Sequence, residues 1–251
     1  MNIDVQGIIK IAKDAGEAIL GYYSETIEVD RKADDSPLTK ADLAAHKVIM
    51  KGLSDLTPEI PVISEEGGIA GYEVRKDWER FWLVDPLDGT KEFIKKNGEF
   101  TVNIALIERD KPVLGVVYIP AQEIGYTGAR GAGAAKFEWD GSNRSIYSEK
   151  ADLNRPLKVV ASRSHGTDDL EEQLAQKGIT VGEKVPAGSS LKFCMVAEGK
   201  ADIYPRMGPT MEWDTAAGDA VYRYSGKNGE RSSPLVYNKK TLKNEGFIIG
   251  L

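Results

Sequence analysis

Cysteine is almost missing from this chain of 251 residues: Cys194 stands alone, so no intrachain disulfide can form and a reducing compartment is expected. It lies in the apolar, helix-like run Leu191-Lys192-Phe193-Cys194-Met195-Val196-Ala197 and reads as a buried structural thiol rather than a nucleophile. No stretch approaches the ~18 apolar residues of a membrane span, and Met1-Asn2-Ile3-Asp4-Val5 has neither the basic nor the apolar segment of a secretory signal. A cytoplasmic protein without a transmembrane segment is expected; loose attachment to the cytoplasmic face of the inner membrane, through a partner, stays open. Positive charge is also in deficit, with 33 Lys and Arg against 39 Asp and Glu for a net charge of −6. With no basic stripe, a general nucleic-acid surface is excluded.

What is present suffices for a full core, since 41% of the chain is hydrophobic. Ile8, Ile9, Ala12, Ala15, Ile19, Leu20 and Tyr23 recur at helical spacing and predict a long first helix. A second helix is expected from about Lys40 to Leu56 with Leu43, Ala44, Val48, Ile49 and Leu53 inward. Strands follow near 61–64, 80–84, 101–108 and 113–119, with Glu108-Arg109-Asp110-Lys111-Pro112 as a hairpin turn and Pro86 ending the 80–84 strand. The Gly-rich Gly128 to Ala134 lacks the Gly-Lys-Ser/Thr ending of a phosphate loop and reads as a turn near a sheet edge. Beyond residue 150 the pattern is a strand from Leu157 to Ser162, helices from Asp168 to about Lys177 and from Ser189 to Glu198, a strand from Ala201 to Tyr204 and a helix from Trp213 to Tyr224. This order of elements predicts an α+β protein of one large domain or two lobes, divided as 1–150 and 151–251.

Three short segments carry chemistry. Trp82-Leu83-Val84-Asp85-Pro86-Leu87-Asp88-Gly89-Thr90 places two carboxylates, a hydroxyl and a glycine at the end of an apolar strand, and the following residues have helix-compatible spacing. Carboxylates on either side of a Pro-stiffened turn suit hard cations such as Mg²⁺, which take oxygen ligands. Ile63-Ser64-Glu65-Glu66-Gly67 is a second apolar strand ending in acids, and Trp213-Asp214-Thr215-Ala216-Ala217-Gly218 sets an acid beside an aromatic at a helix start. An acidic protein that binds phosphate through carboxylates needs divalent ions to invert the sign of the site.

Taken in order as E-E, D-P-x-D-G-T and W-D-x-A-A-G, these segments resemble the inositol monophosphatase superfamily of Mg²⁺-dependent, lithium-sensitive phosphatases. The resemblance implies a five-layer αβαβα sandwich. Within the superfamily, Asp85 to Ile94, Gly98 to Ile107, Ser162-Arg163-Ser164-His165 and Gly188-Ser189-Ser190-Leu191-Lys192 resemble the bacterial 3′(2′),5′-bisphosphate nucleotidases of sulfate assimilation, which convert adenosine 3′,5′-bisphosphate to AMP. After Gly218 the match fades: where many relatives have an Ala-Gly-Gly helix stop, this chain has Arg223-Tyr224-Ser225-Gly226, followed by a charged loop from Lys227 to Arg231.

The resemblance also implies roles. Glu65, Asp85 and the Leu87 carbonyl would hold an activating Mg²⁺, and Asp85, Asp88 and Asp214 a second one on the leaving-group side, with two or three ions per active site. Thr90 would contribute its hydroxyl to the environment of the attacking water, and Asp42 would polarise Thr90; Ser36-Pro37-Leu38-Thr39-Lys40-Ala41-Asp42 matches the family's S-P-x-T-x-x-D element. Thr39 and Asp42 also form a helix-capping pattern, and both roles can coexist. Glu66 is expected in the loop or behind the ligands. Phosphate would meet the Gly89 and Thr90 amides. Substrate contacts are assigned to Glu65, Leu87, Asp88, Gly89, Thr90, Ser162, His165, Ser189, Ser190, Lys192, Arg206 and Asp214, with Lys192 and Arg206 facing the nucleotide's second phosphate and sugar. The partner is thus a small-molecule nucleotide, and the protein a monomer or homodimer.

Three rival readings follow the same residues. An inositol or fructose bisphosphate phosphatase would share the metal chemistry, but members preferring inositol phosphates usually lack a lysine in G-S-S-L-K. A haloacid dehalogenase-type phosphatase needs its nucleophilic Asp two residues before the acid, whereas Asp85 is three before Asp88. A non-catalytic metal-dependent nucleotide-binding protein would not need to keep Asp42, Glu65 and Thr90.

Overall fold

The computed structural model describes residues 4–23, 30–31, 37–38, 40–162 and 169–251. Helix α1 (Val5–Tyr23) leads to the two-residue strands β1 (Asp30–Arg31) and β2 (Pro37–Leu38) and then to α2 (Lys40–Leu56). Next come β3 (Val62–Ser64), α3 (Tyr72–Arg75), β4 (Arg80–Asp88), α4 (Thr90–Ile94), β5 (Thr101–Glu108), β6 (Lys111–Ile119), β7 (Ile124–Ala129), β8 (Gly133–Glu138) and β9 (Asn143–Ser145). The C-terminal part adds β10 (Leu157–Ser162), α5 (Leu170–Ala175), β11 (Val181–Ala187), α6 (Leu191–Ala197), β12 (Tyr204–Arg206), β13 (Thr210–Met211), α7 (Trp213–Arg223), β14 (Lys243–Asn244) and β15 (Phe247–Ile249).

Strands β3 to β9 form one sheet in chain order, with β3 parallel to β4 and the remaining pairs antiparallel. Side chains alternate between its faces, as the strand period of two requires. Trp82, Val84, Ile104, Leu106 and Val116 pack under α1 and α2, while Phe81, Leu83, Ala105, Ile107 and Val117 share a core with α6 and α7. A second layer of strands, the parallel pair β10–β11 and the antiparallel pair β12–β15, is joined by a bridge between Val159 and Ile203. Leu170 and Leu174 of α5 close it from outside against Leu157, Val159 and Ile203. The layers are therefore αβαβα, an α+β layered sandwich.

Helix α7 lies unusually close to the large sheet, and small residues explain why. Gly115 and Gly128 face each other across β6 and β7; a Cβ at either would come within 2.5 Å of the Ala217 carbonyl or 2.4 Å of the Ala220 carbonyl. The Ala-Ala-Gly run after Asp214 is thus a packing requirement as well as a motif. Downstream, Arg223 is buried: Nε donates to Asp219 at 2.8 Å and Nη2 to the Leu235 carbonyl at 2.7 Å. The departure after Gly218 is accommodated, because the arginine that replaces the usual helix stop pins the returning chain.

Several expectations need correcting. Pro86 does not end its strand: β4 continues to Asp88 through an irregularity between Asp85 and Asp88, where a missing N–H is tolerated. The inward face of α2 is Ala41, Asp42, Ala45, Ile49 and Leu53, with Leu43 exposed, since α2 lays that stripe against α1 and β4 together. Helices α5 and α6 are shorter than expected, and the strand expected over 201–204 is centred later, at Tyr204–Arg206. Strands β7, β8 and β9, which the periodicity did not indicate, form a meander; the Gly-rich segment is its tight turn, with Gly131 and Gly133 at positive φ.

Candidate active site

The bulge in β4 makes the site. Residues three apart on a regular strand face opposite sides, yet Asp85 pairs with Asn103 and Asp88 with Thr101, two residues apart on β5. Pro86 and Leu87 therefore oppose Val102 alone, and the extra residue turns Asp88 to the face already occupied by Asp85. Asp85 Oδ1 accepts from the Leu87 N–H at 3.1 Å, which closes the turn. Gly89 then takes φ +89°, a left-handed conformation natural to glycine, and releases the chain into α4.

Glu65 arrives from the parallel neighbour. Its N–H bonds the Val84 carbonyl at 3.1 Å, so it leaves β3 beside Asp85. Asp214 comes from the other side, in the first turn of α7, where one carboxylate oxygen accepts the Met211 N–H at 2.8 Å. A carboxylate there also complements the helix dipole. Glu65, Asp85 and Asp214 each present an oxygen, all within 4.8 Å of one another. Such proximity is costly without positive charge. Burial, then Glu65, Asp88, Asp214 and Asp42, push the Asp85 carboxyl well above its usual range. Burial and Asp88 push Asp214 up to about 8, against the opposing Met211 hydrogen bond. An all-oxygen, acidic, largely buried donor set fits a hard divalent cation.

A cavity of about 280 Å³ opens over these groups. Glu65, Asp85, Leu87, Asp88, Gly89, Thr90, Ser189, Lys192, Arg206 and Asp214, all expected from sequence, line it together. Lys192 is not the solvated cation one would assume. It is 7% exposed, its Nζ donates to the Ser189 carbonyl at 2.5 Å and lies 5.6 Å from the Tyr204 ring centroid, and burial lowers its pKa against the attraction of Asp88. Arg206 donates from Nη2 to the Pro209 carbonyl at 3.3 Å; its buried Nε has no hydrogen-bond partner among the described residues.

Other expected residues sit elsewhere. Asp42 is buried on α2 and acts on Asp85 through its charge. Ser190 lies behind the cavity wall, accepting from Asn103 Nδ2 at 3.0 Å and donating to the Asp214 carbonyl at 2.8 Å. Glu66 does not line the cavity; its charge acts on His46. Ser162 is placed only by its main chain, paired with Ala187, and Thr39, Arg163, Ser164 and His165 lie outside the described residues. Sequence reasoning missed Glu92, Tyr204, Thr210 and Thr215 in the lining, and Thr101 and Asn103 beneath it. The last two had a signal: polar residues at alternate positions in an otherwise apolar strand need buried partners.

Comparison with known proteins agrees with this geometry. The sequence model of the inositol monophosphatase family matches residues 4–232. The 3′(2′),5′-bisphosphate nucleotidase CysQ of Salmonella typhimurium is 55% identical over 250 residues, 98% of each chain. Its namesake in Escherichia coli K12 is 50% identical over 249 residues, 97% of this chain and 98% of that one. The crystal structure of CysQ from Bacteroides thetaiotaomicron superposes with a TM-score of 0.78 at 43% identity, covering 97% of this chain and 95% of that chain.

Proposed function

The chain belongs to the inositol monophosphatase family, and from that footing we propose that it is a metal-dependent 3′(2′),5′-bisphosphate nucleotidase, removing the 3′-phosphate of adenosine 3′,5′-bisphosphate to leave AMP. The observation that carries this reading is one cavity shared by a carboxylate cluster and two cations, Lys192 and Arg206. One phosphate would sit at the carboxylates; the other would meet the cations. An unpartnered guanidinium N–H in Arg206 supports a ligand role there. 3′-Phosphoadenylyl sulfate, with the same 3′-phosphate, is a second substrate of the proposal, and sulfur assimilation its setting.

We assign Glu65, Asp85, Asp88, Asp214 and the Leu87 carbonyl as ligands of Mg²⁺, two or three ions per site. Bound there, the metal supplies positive charge that neutralises the phosphoryl oxygens and activates water for in-line attack. The chain's own part is positional. The Gly89 and Thr90 amides hold phosphoryl oxygens, the Thr90 hydroxyl orients the water, and Asp42 polarises that hydroxyl. Lithium, small enough for a Mg²⁺ position but with less charge, should inhibit. The 1–150 lobe supplies Asp42, Glu65, Asp85, Asp88 and Thr90; the 151–251 lobe supplies Ser189, Lys192, Arg206 and Asp214. We place the enzyme in the cytoplasm as a monomer or homodimer; among the described residues no helix is long and apolar enough to cross a membrane.

Product identity tests the reading. Incubation of adenosine 3′,5′-bisphosphate with the enzyme and Mg²⁺ should yield AMP and phosphate in equal amounts, and chelation should stop it. Accumulation of adenosine 3′-monophosphate would reverse the assigned orientation.

A further inference from the structure

Between Asp88 and Asp214 runs a series of close polar contacts through residues that do not all face the cavity. The Ser189 hydroxyl donates to the Asp88 carboxylate and lies 3.2 Å from the Asp88 carbonyl. It is 2.6 Å from Thr101 Oγ1, which is in turn 3.1 Å from Asn103 Oδ1. Asn103 Nδ2 donates to Ser190 Oγ, and Ser190 donates to the Asp214 carbonyl. Thr101, Asn103 and Ser190 are at most 2% exposed.

This arrangement is not required by the sheet. β5 completes its main-chain ladder whatever its side chains, and Ala105 and Ile107 fill the same face with apolar groups. Burying a hydroxyl and an amide there is unfavourable unless both are bonded, and their bonds lead to the two acids. Proton count sets the direction of each bond. Each hydroxyl has one hydrogen: with Ser189 donating to the Asp88 carboxylate, Thr101 donates to Ser189 along the shorter of its two contacts. The contact from Thr101 to the Asn103 amide oxygen is then left without a hydrogen, and the series divides into a Thr101–Ser189–Asp88 branch and an Asn103–Ser190–Asp214 branch. Ser189 holds φ +50°, a conformation uncommon outside glycine, as expected where surrounding contacts dictate the backbone.

We propose that Thr101 and Asn103 are positioning residues of the metal centre: Thr101 through Ser189 fixes the Asp88 carboxylate, and Asn103 through Ser190 fixes the start of α7 that carries Asp214. Ligands from distant parts of the sequence are thereby held at one spacing. The inference rests on the ligand assignment above but names residues which that assignment does not use.

Calorimetric titration with Mn²⁺ alone, without nucleotide, tests it. Thr101→Val keeps the shape and removes the hydroxyl; because Thr101 acts on Asp88 through Ser189, Mn²⁺ affinity should fall toward the loss of about 10–100-fold that removing a direct partner of a metal ligand costs. Thr101→Ser should restore it. The melting temperature of the metal-free protein serves as the fold control. Unchanged affinity in folded Thr101→Val, or a loss that Thr101→Ser does not rescue, overturns the proposal. If Thr101→Val does not fold, Ser189→Gly decides, because glycine suits φ +50° while the hydroxyl is lost. Its Mn²⁺ affinity should fall similarly with metal-free stability held or raised; unchanged affinity overturns the proposal. No substrate enters, so failure here leaves the nucleotidase reading standing, and the converse also holds.

Discussion

Glu212, two residues before Asp214, forms a double contact with the half-buried Lys239. The Glu212 carboxylate, fully buried, accepts the Lys239 N–H at 2.9 Å and pairs with its ammonium at 2.8 Å, while its other oxygen accepts the Asn238 N–H at 2.7 Å. Arg75 grips the same loop from α3, donating to Asn238 Oδ1 and to the Lys239 and Lys240 carbonyls. The start of α7 is thus tied to the C-terminal chain.

Glu212→Ala should therefore be costly. It strands two main-chain amides, each worth about 1–3 kcal/mol when left unpaired, so denaturant unfolding should report a loss of roughly 2–6 kcal/mol. A change below about 0.5 kcal/mol, typical of surface positions, would mean that the loop holds itself.

Stability of the metal-free protein should depend on pH with an unusual sign. Asp85 and Asp214 have folded pKa values raised by burial and by neighbouring carboxylates, Asp214 to about 8. A raised folded pKa contributes stability that is full below the unfolded value of about 4 and is lost as pH rises through the folded value. Chelated protein should melt progressively lower between pH of about 4 and above 8, and saturating Mg²⁺ should remove most of that slope. Parallel melting curves with and without Mg²⁺ would contradict the assigned cluster.

At Asp42 two roles compete. As the acid that polarises Thr90, Asp42→Asn should lower kcat about 10²–10⁴-fold, the range for general acid–base assistance, while leaving the melting temperature nearly unchanged. As a helix-cap partner alone, it should cost at most about 1 kcal/mol and leave turnover intact. One kinetic and one melting measurement separate them.

Lys192 is buried against Tyr204, so its replacement must preserve bulk, and Lys192→Met does. A charge-assisted bond to phosphate is worth roughly 1.5–3 kcal/mol, which predicts a loss of about ten- to a hundredfold in kcat/KM on adenosine 3′,5′-bisphosphate. A phosphomonoester lacking the second phosphate should be nearly unaffected. Equal losses on both would make Lys192 a support of Ser189 rather than a specificity residue.

The legible and illegible parts of this molecule divide along physical lines. Glu65, Asp85, Asp88, Thr90 and Asp214 stood out because carboxylates after apolar strands are unusual and their order matches a family. Helices α1 and α2 stood out through their apolar period, although the burial of Asp42 and exposure of Leu43 did not, since burial follows the partner surface rather than hydrophobicity alone. The bulge was hidden because Pro86 looks like a strand breaker until Thr101 and Asn103 supply the register against which it is read. Strands β7 and β8 were obscured by glycine and alanine, whose small side chains carry little periodic signal and at Gly128 leave room for α7, and β9 by being three exposed polar residues with no apolar alternation.

The most direct test of the account is kcat/KM with Mg²⁺ measured side by side on adenosine 3′,5′-bisphosphate, inositol 1-phosphate and fructose 1,6-bisphosphate. If Lys192 and Arg206 recognise a second phosphate as strongly as a charge-assisted bond allows, the nucleotide should exceed inositol 1-phosphate by at least about tenfold. Faster release from inositol 1-phosphate or fructose 1,6-bisphosphate than from the nucleotide would contradict the nucleotidase assignment.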